Sequence, residues 1–333
     1  MDAYNDPTEE ADLATYRSTY GLPACTTANG CFRKVDQRGG TSYPRTNGGW
    51  AQEISLDLDM VSATCPDCHI LLVEADSNSF ANLGATVNTA AGIAGVSAIS
   101  NSYGGGDAAD TTYGSYYNHP GIAVTASTGD GGYQGGSYPA SSSYATAVGG
   151  TSLNKAANTR GWTETVWSGA GSGCSLYNTA LVAAASANTG CAKRAMADVS
   201  AVADPNTGVA VYDSTAYKGS SGWMVFDGTS ASAPIIGSVY ALSGNTTGYA
   251  NAVPYTHTSA LFDVTSGSNG TCPTTQWCTA RTGWDGPSGL GIRRSPTFFG
   301  VFDSQVSSCS QLRVPPPTPT NRNGRRNKNA SGA

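Results

Sequence analysis

Short apolar segments with strand character alternate with helical segments along most of this chain, and no other feature limits its possible folds as much. The spacing of apolar residues predicts helices at 7–21, 48–65, 80–93 and 232–242, and strands at 70–73, 98–103, 121–127, 145–148 and 209–212. Such alternation is typical of parallel strands joined by helices. The sequence therefore predicts an α/β fold, with a mostly parallel sheet covered by helices on both faces.

The charge balance excludes several classes of protein. Only 12% of the 333 residues are charged, which is too few for a coiled coil or a charge-driven disordered protein. Residues 1–303 have a net charge of -10, because five of the 18 basic residues and none of the 23 acidic ones lie in 304–333. An acidic body argues against nucleic acid as a partner. No apolar run approaches the roughly 18 residues needed to span a bilayer, so we expect no membrane partner either.

Composition also divides the chain into two parts. After residue 303 it becomes rich in Ser, Pro, Asn and Arg, and residues 314–319 favour an extended polyproline conformation. We therefore expect one domain over 1–303 and a basic, Pro-rich, disordered tail over 304–333.

Eight of the nine cysteines form four close pairs in the sequence: Cys25 and Cys31, Cys65 and Cys68, Cys174 and Cys191, and Cys272 and Cys278. Cys309 is left over. Such pairs indicate disulfides made in an oxidising compartment, with one free thiol in the whole chain. The alternative is a zinc site built from the first four cysteines, with His69 nearby.

Three places in the sequence have candidate catalytic residues. Glu53 and Asp57 are four residues apart in a predicted helix, so their carboxylates share one face beside an apolar stripe. Such a pair holds a proton between its members and becomes an acid/base couple. The structural alternative is a solvated acidic face that also includes Asp59.

The second candidate is Ser230, which lies among small residues just before the predicted helix at 232–242. A serine at a helix start has an accessible hydroxyl in the positive field of the N-terminus. A plain helix cap is the alternative.

The third candidate is Asp130, in a turn at the carboxyl end of a predicted strand, where open α/β sheets bind their ligands. An Asp-Gly sequence is also an ordinary turn.

These three sites occur in an order that resembles one family. Glu-x-x-x-Asp, then Ser-x-Gly-Asp-x-Gly, then Gly-Thr-Ser-x-Ser-x-Pro is the order of the sedolisins, the serine-carboxyl peptidases with a subtilisin-like fold. The resemblance covers about residues 2–291 and includes the segments 138–142 and 147–151.

The resemblance implies a role for each candidate. Ser230 would be the nucleophile, Glu53 its general base and Asp57 the carboxylate that orients Glu53. Asp130 would be a protonated donor in the oxyanion hole, so activity on protein or peptide substrates is expected mainly at acidic pH. The segment formed by Ser102, Tyr103 and Gly104 would pair with an extended substrate.

The resemblance also implies one Ca²⁺ ion, the only cofactor we expect. Its ligands would be the side chains of Asp263 and Asp285 and the backbone carbonyls of Val264, Arg281 and Gly283. Without the resemblance, this segment is an ordinary turn.

The family has a signal, a prosegment and an apolar first strand, and none of these precedes Met1 here. We expect a truncated or mis-started reading frame whose parent was exported, a missing first strand and a monomer. One rival is a subtilisin-like peptidase that uses Asp2, a histidine (His69, His119 or His257) and Ser230. Another is a secreted, inactive peptidase-like scaffold, or a module that binds carbohydrate or protein.

Overall fold

The computed structural model describes residues 1–244 and 247–293. The helices are α1 (Glu9–Thr19), α2 (Gly48–Thr64), α3 (Phe80–Ala91), α4 (Asp110–Tyr113), α5 (Thr229–Ser243) and α6 (Val253–Thr256). The strands are β1 (Asp2–Ala3), β2 (Phe32–Asp36), β3 (Ile70–Ala75), β4 (Ala98–Asn101), β5 (Gly105–Gly106), β6 (Ala123–Ser127), β7 (Ser137–Tyr138), β8 (Thr146–Lys155), β9 (Trp162–Val166), β10 (Gly173–Cys174), β11 (Ala195–Met196), β12 (Val199–Val202), β13 (Val209–Tyr217), β14 (Ser220–Phe226), β15 (Leu261–Phe262) and β16 (Ile292–Arg293).

Parallel strands form the centre of the fold. One group has the order β2-β3-β1 and the other the order β4-β6-β8-β12, and every pairing along these two paths is parallel. Only β9, which pairs with β8, adds an antiparallel neighbour to the larger group. The predicted α/β class and its mostly parallel sheet are confirmed.

Strand β3 shows how the helices cover both faces of the sheet. Ile70 and Leu72 pack with residues of α1 and α2 such as Leu13 and Ile54. The alternate residue Val73 packs in a different cluster, with Leu83 and Val87 of α3. Because successive side chains of a strand point to opposite faces, α1 and α2 lie on one face and α3 on the other. Helix α5 covers β6, β8 and β12 through residues that include Ile236 and Val239.

Strand β1 comprises only the two residues Asp2–Ala3. It pairs with the end of β3, and the amino group of Met1 donates a hydrogen bond of 2.9 Å to the carbonyl of Ser100 in β4. This short strand and the residue before it therefore link the two groups of parallel strands.

The structure changes two of the predicted elements. Helix α5 begins at Thr229, three residues earlier than predicted, so Pro234 lies inside the helix rather than in its first turn. The predicted strand at 209–212 belongs to β13, which forms an antiparallel hairpin with β14 and packs on α2 instead of joining the parallel sheet. Local apolar pattern predicted an extended segment there but not its partner, because pairing depends on residues distant in the sequence.

Four disulfides join the cysteine pairs read from the sequence, Cys25–Cys31, Cys65–Cys68, Cys174–Cys191 and Cys272–Cys278. The disulfide prediction is confirmed, and the zinc alternative is wrong because its four thiols are bonded to one another. The pairing fits an extracellular protein. Cys309 and the predicted tail lie outside the described residues.

Among the helices of residues 1–244 and 247–293, none combines the length and the apolar character that crossing a bilayer requires.

Candidate active site

The acidic pair is carried by the buried helix α2. Asn47 caps this helix, since its side chain accepts hydrogen bonds from the backbone N–H groups of Gly49 and Trp50. Glu53 is fully buried and Asp57 is only 7% exposed. Asp59 is buried as well, and its Oδ2 accepts a hydrogen bond from the backbone of Tyr212. The alternative of a solvated acidic face is therefore wrong.

Ser230 lies in the first turn of α5 and is half-buried. The cap position is Gly228, with φ of 89° and no side-chain cap, so Ser230 does not act as a helix cap. Pro234 has no N–H to donate to the carbonyl four residues earlier, which is that of Ser230. That carbonyl oxygen instead lies 3.0 Å from the hydroxyl of Ser102.

The Ser102 side chain joins the two halves of the candidate site. Its hydroxyl also lies 2.6 Å from Oδ1 of Asp57, and the Ser230 hydroxyl lies 3.4 Å from the Ser102 carbonyl oxygen. Ser102 immediately follows β4, so a residue between strand and loop connects α2 to the start of α5. The structure thus brings together Asp57, Ser102 and Ser230.

Electrostatics at Asp57 favour its protonated form. Burial, and then the charges of Asp2 and Glu53, raise the pKa of Asp57 well above its ordinary value, while the Met1 ammonium and the hydrogen bond from Ser102 lower it. Sequence reasoning assigned Asp2 only to the subtilisin-like rival. Here Asp2, at the start of β1 and fully buried, acts electrostatically on Asp57.

Asp130 reaches the start of α5 through Thr229, the residue directly before Ser230. Oδ1 of Asp130 accepts hydrogen bonds from the backbone N–H of Thr229 at 2.7 Å and from its hydroxyl at 3.0 Å. The turn after β6 thus lies beside the candidate nucleophile. Sequence reasoning did not single out Thr229, although its place between Gly228 and Ser230 in the motif was the available signal.

The other two residues of the predicted substrate strand differ in character. The Tyr103 side chain is buried and its hydroxyl donates to Oδ1 of Asn101, so its ring belongs to the core and only its backbone could pair with a substrate. Gly104 has room for no side chain, because a Cβ would lie 2.8 Å from the Ser137 hydroxyl.

The histidines do not support the subtilisin-like rival. His119 bonds to Asn88 and Tyr116, His257 bonds to Thr256 and Val253, and His69 is exposed. None of the three makes a hydrogen bond to Ser230 in the described part of the chain.

The five residues expected to hold Ca²⁺ converge at one place. Oδ2 of Asp263 accepts from the Gly283 N–H at 2.8 Å, and Oδ2 of Asp285 accepts from the Arg281 N–H at 3.2 Å. Burial raises the pKa of the fully buried Asp285 to about 7, and Asp263 contributes to the rise.

Carbonyl oxygens complete this group. Within residues 1–244 and 247–293, no hydrogen bond ends on the carbonyl oxygens of Val264, Arg281 or Gly283. Two carboxylates and three such carbonyls form an all-oxygen donor set, the kind that a hard cation prefers. These residues fit a calcium ion.

A second acidic group lies elsewhere and was not predicted. Asp6, Asp12 and Asp213 are buried, and one ligand atom from each lies within 4.8 Å of the others. Hydroxyls of Thr8 and Thr215 bond within this group. The group ties the segment before α1 to the hairpin that packs on α2.

The structure is similar to that of Pseudomonas sedolisin, a serine-carboxyl proteinase solved with two molecules of pseudo-iodotyrostatin. The TM-score is 0.72 with 25% sequence identity, and the match covers 88% of each chain. An independent sequence match links the chain to tripeptidyl-peptidase sed1 of Aspergillus fumigatus, 34% identical over 119 residues. The chain is thus similar to the sedolisins in both structure and sequence.

More distant solved structures agree on the fold of this sedolisin relative. The S41 psychrophilic protease has a TM-score of 0.52 and 16% identity over 80% of this chain and 85% of its own. A lanthipeptide protease has a TM-score of 0.54 and 12% identity, over 89% of this chain and 85% of its own. No protein-family model matches the chain.

The similar proteins are proteases, and they support a peptidase of the sedolisin family. The match to the Aspergillus protein covers 33% of this chain and only 17% of that relative. The activity and the substrates are therefore taken up below as proposals.

Proposed function

We propose that the chain is a serine-carboxyl endopeptidase that hydrolyses peptide bonds in proteins through an acyl-enzyme on Ser230. One observation carries the proposal. The Ser102 hydroxyl joins Asp57 to the turn that holds Ser230, and Asp130 is bonded to the neighbouring residue of that same turn. A buried acid pair, a hydroxyl and a third carboxyl at one helix start supply each role that acyl transfer needs.

In the first step, Ser230 Oγ attacks the carbonyl carbon of the scissile bond, and its proton passes to Glu53. Asp57 is one helical turn away and buried with Glu53, so it holds that carboxyl in place and sets its proton affinity. The carbonyl oxygen becomes an oxyanion, to which protonated Asp130 donates a hydrogen bond. Glu53 then gives the proton to the leaving amine as the C–N bond breaks.

The second step returns the enzyme to its starting state. Water attacks the ester carbon while Glu53 accepts one of its protons, and Asp130 again donates to the oxyanion. The bond between the acyl carbon and Ser230 Oγ breaks, and the serine regains its proton from Glu53. The peptide leaves as a carboxylic acid, so atoms and protons balance over the cycle.

The mechanism requires acidic conditions. Asp130 donates only while it is protonated, and the Glu53/Asp57 couple accepts only while it has lost a proton. Activity therefore falls at higher pH, where Asp130 loses its proton. It also falls at lower pH, where the Glu53/Asp57 couple keeps its proton.

We further propose a monomeric, exported protein that holds one calcium ion at Asp263 and Asp285. The disulfides support export, since they form in oxidising compartments. Asp263 and Asp285, with the carbonyl oxygens of Val264, Arg281 and Gly283, would hold the ion, which would stabilise the fold rather than take part in the chemistry.

The deciding experiment is an assay on a denatured protein at about pH 4 and about pH 7.5. The wild type is compared with Ser230→Ala and Glu53→Gln, and with the control variants Ser232→Ala and Glu10→Gln. Activity confined to acid and lost in the first two variants supports the proposal. A folded wild type with no activity, which a phosphonate probe does not label at Ser230, supports the inactive scaffold instead.

A further inference from the structure

The turn at 228–229 holds the two oxygens of Asp130 in different ways. Oδ1 lies 2.7 Å from the backbone nitrogen of Thr229 and 3.0 Å from its hydroxyl, and both groups donate to it. Oδ2 lies beside Gly228, where an added Cβ would be only 2.7 Å from it. Thr229 therefore bonds Oδ1, while the missing side chain at Gly228 lets Oδ2 lie close to the turn.

The direction of the Thr229 hydroxyl is fixed by a second contact. The backbone N–H of Gly129 donates to Thr229 Oγ1 at 2.9 Å, so this hydroxyl accepts from the turn that precedes Asp130. Its single proton is left to be donated to Asp130. Thr229 itself is only 1% exposed, whereas Asp130 is an exposed residue.

We propose that Thr229 is a positioning residue, which makes Oδ1 of Asp130 an acceptor and thereby places the carboxyl proton on Oδ2, where it can be donated to the oxyanion. This inference rests on the proposed function and deepens it. A carboxylic acid has one donor oxygen, and an oxygen that receives two donated protons cannot be that donor. Without the Thr229 hydroxyl, the carboxyl group of Asp130 could rotate and carry its proton on the oxygen that faces away from the oxyanion.

The test compares Thr229→Val with Thr229→Ser. Valine keeps the shape and removes the hydroxyl, whereas serine keeps the hydroxyl and removes the methyl group. Ser232→Ala is the matched control, because it removes another buried hydroxyl of α5, whose hydrogen bonds within the described residues go to the carbonyls of Ala201 and Val202. Near-ultraviolet circular dichroism establishes that each variant is folded.

In Thr229→Val we expect kcat to fall about tenfold or more with little change in KM, because losing a whole oxyanion donor costs about 100- to 1000-fold. Donors to Oδ1 favour the ionised carboxylate, so removing one lets Asp130 keep its proton to higher pH. The alkaline limit of the kcat profile should therefore move to higher pH. Thr229→Ser should restore both properties, and Ser232→Ala should alter neither.

Two results would overturn the inference: a folded Thr229→Val with the wild-type kcat and pH profile, or a loss of kcat that Ser232→Ala reproduces without any shift of the alkaline limit. If Thr229→Val itself does not fold, the comparison moves to Thr229→Ala, which is judged by the same two criteria against Thr229→Ser. Failure of the proposed function looks different, since then Ser230→Ala and Glu53→Gln would keep the wild-type activity.

Discussion

The hydroxyl of Ser102 lies 2.6 Å from Oδ1 of Asp57, although the two residues are 45 positions apart in the chain. The same hydroxyl is 3.0 Å from the carbonyl oxygen of Ser230, which α5 leaves without its helical donor because residue 234 is proline. One side chain thus fixes the spacing between the acid pair and the nucleophile. The family resemblance predicted only that Ser102 binds substrate, and that role stays a prediction.

Ser102→Ala should move the acid limit of activity. The hydrogen bond from Ser102 lowers the pKa of Asp57, so its loss raises that pKa further, and the acid/base couple then loses its proton only at higher pH. We expect the acid limb of the kcat profile to move to higher pH. Ser100→Ala is the control, since the Ser100 hydroxyl, on the preceding strand, makes no hydrogen bond with a described residue. An acid limb at the same pH in the wild type, Ser102→Ala and Ser100→Ala would contradict this role of Ser102.

Calcium should stabilise the protein through Asp285. Ligand that binds only the folded state at 100 times its Kd adds about 3 kcal/mol to the free energy of unfolding. We expect a chelator to lower the Tm of the wild type and to leave that of Asp285→Asn unchanged. Asp76→Asn, which alters an exposed ion pair with Arg38, should respond like the wild type. A wild-type Tm that does not respond to the chelator would count against the calcium site.

Asp6 should make the fold more stable at acidic pH. Burial raises the pKa of Asp6 to about 6 from 3.8, so the folded state binds its proton more tightly than the unfolded state. This contribution is fully present below about pH 4 and is lost as pH rises to about 6, with a size of about 3 kcal/mol. Urea unfolding of the wild type and Asp6→Asn at several pH values measures it. If the difference in the free energy of unfolding between the wild type and Asp6→Asn is the same at about pH 4 and about pH 6, this role of Asp6 is contradicted.

The disulfides should differ in what they contribute to stability. Cys174–Cys191 spans 17 positions and Cys65–Cys68 only 3. Because closing a longer loop restricts the unfolded chain more, replacing the first pair with serines should cost about 3 kcal/mol and replacing the second about 2 kcal/mol. Denaturant unfolding measures both costs, and peptide mapping without reduction tests the pairing. The reverse order of costs would contradict the loop-entropy explanation.

The sequence by itself determined the features that depend on neighbouring residues. Helix α2 follows from apolar residues at helical spacing, and that spacing places Glu53 and Asp57 on one turn. The four disulfides follow from close cysteine pairs, since short loops close readily. The order of three short motifs was enough to indicate a likeness to the sedolisins, although the solved sedolisin that the structure resembles is only 25% identical.

Only the tertiary structure decided which distant groups meet. The contact of Ser102 with Ser230 crosses 128 positions, and that of Thr229 with Asp130 crosses 99. Tertiary structure also decided that Asp2 acts electrostatically on Asp57 and that β13 pairs in a hairpin. A local pattern encodes the direction of a helix or strand and its apolar face. Whether a carboxylate there is solvated or buried depends on what packs against it, and that is fixed by residues far away in the chain.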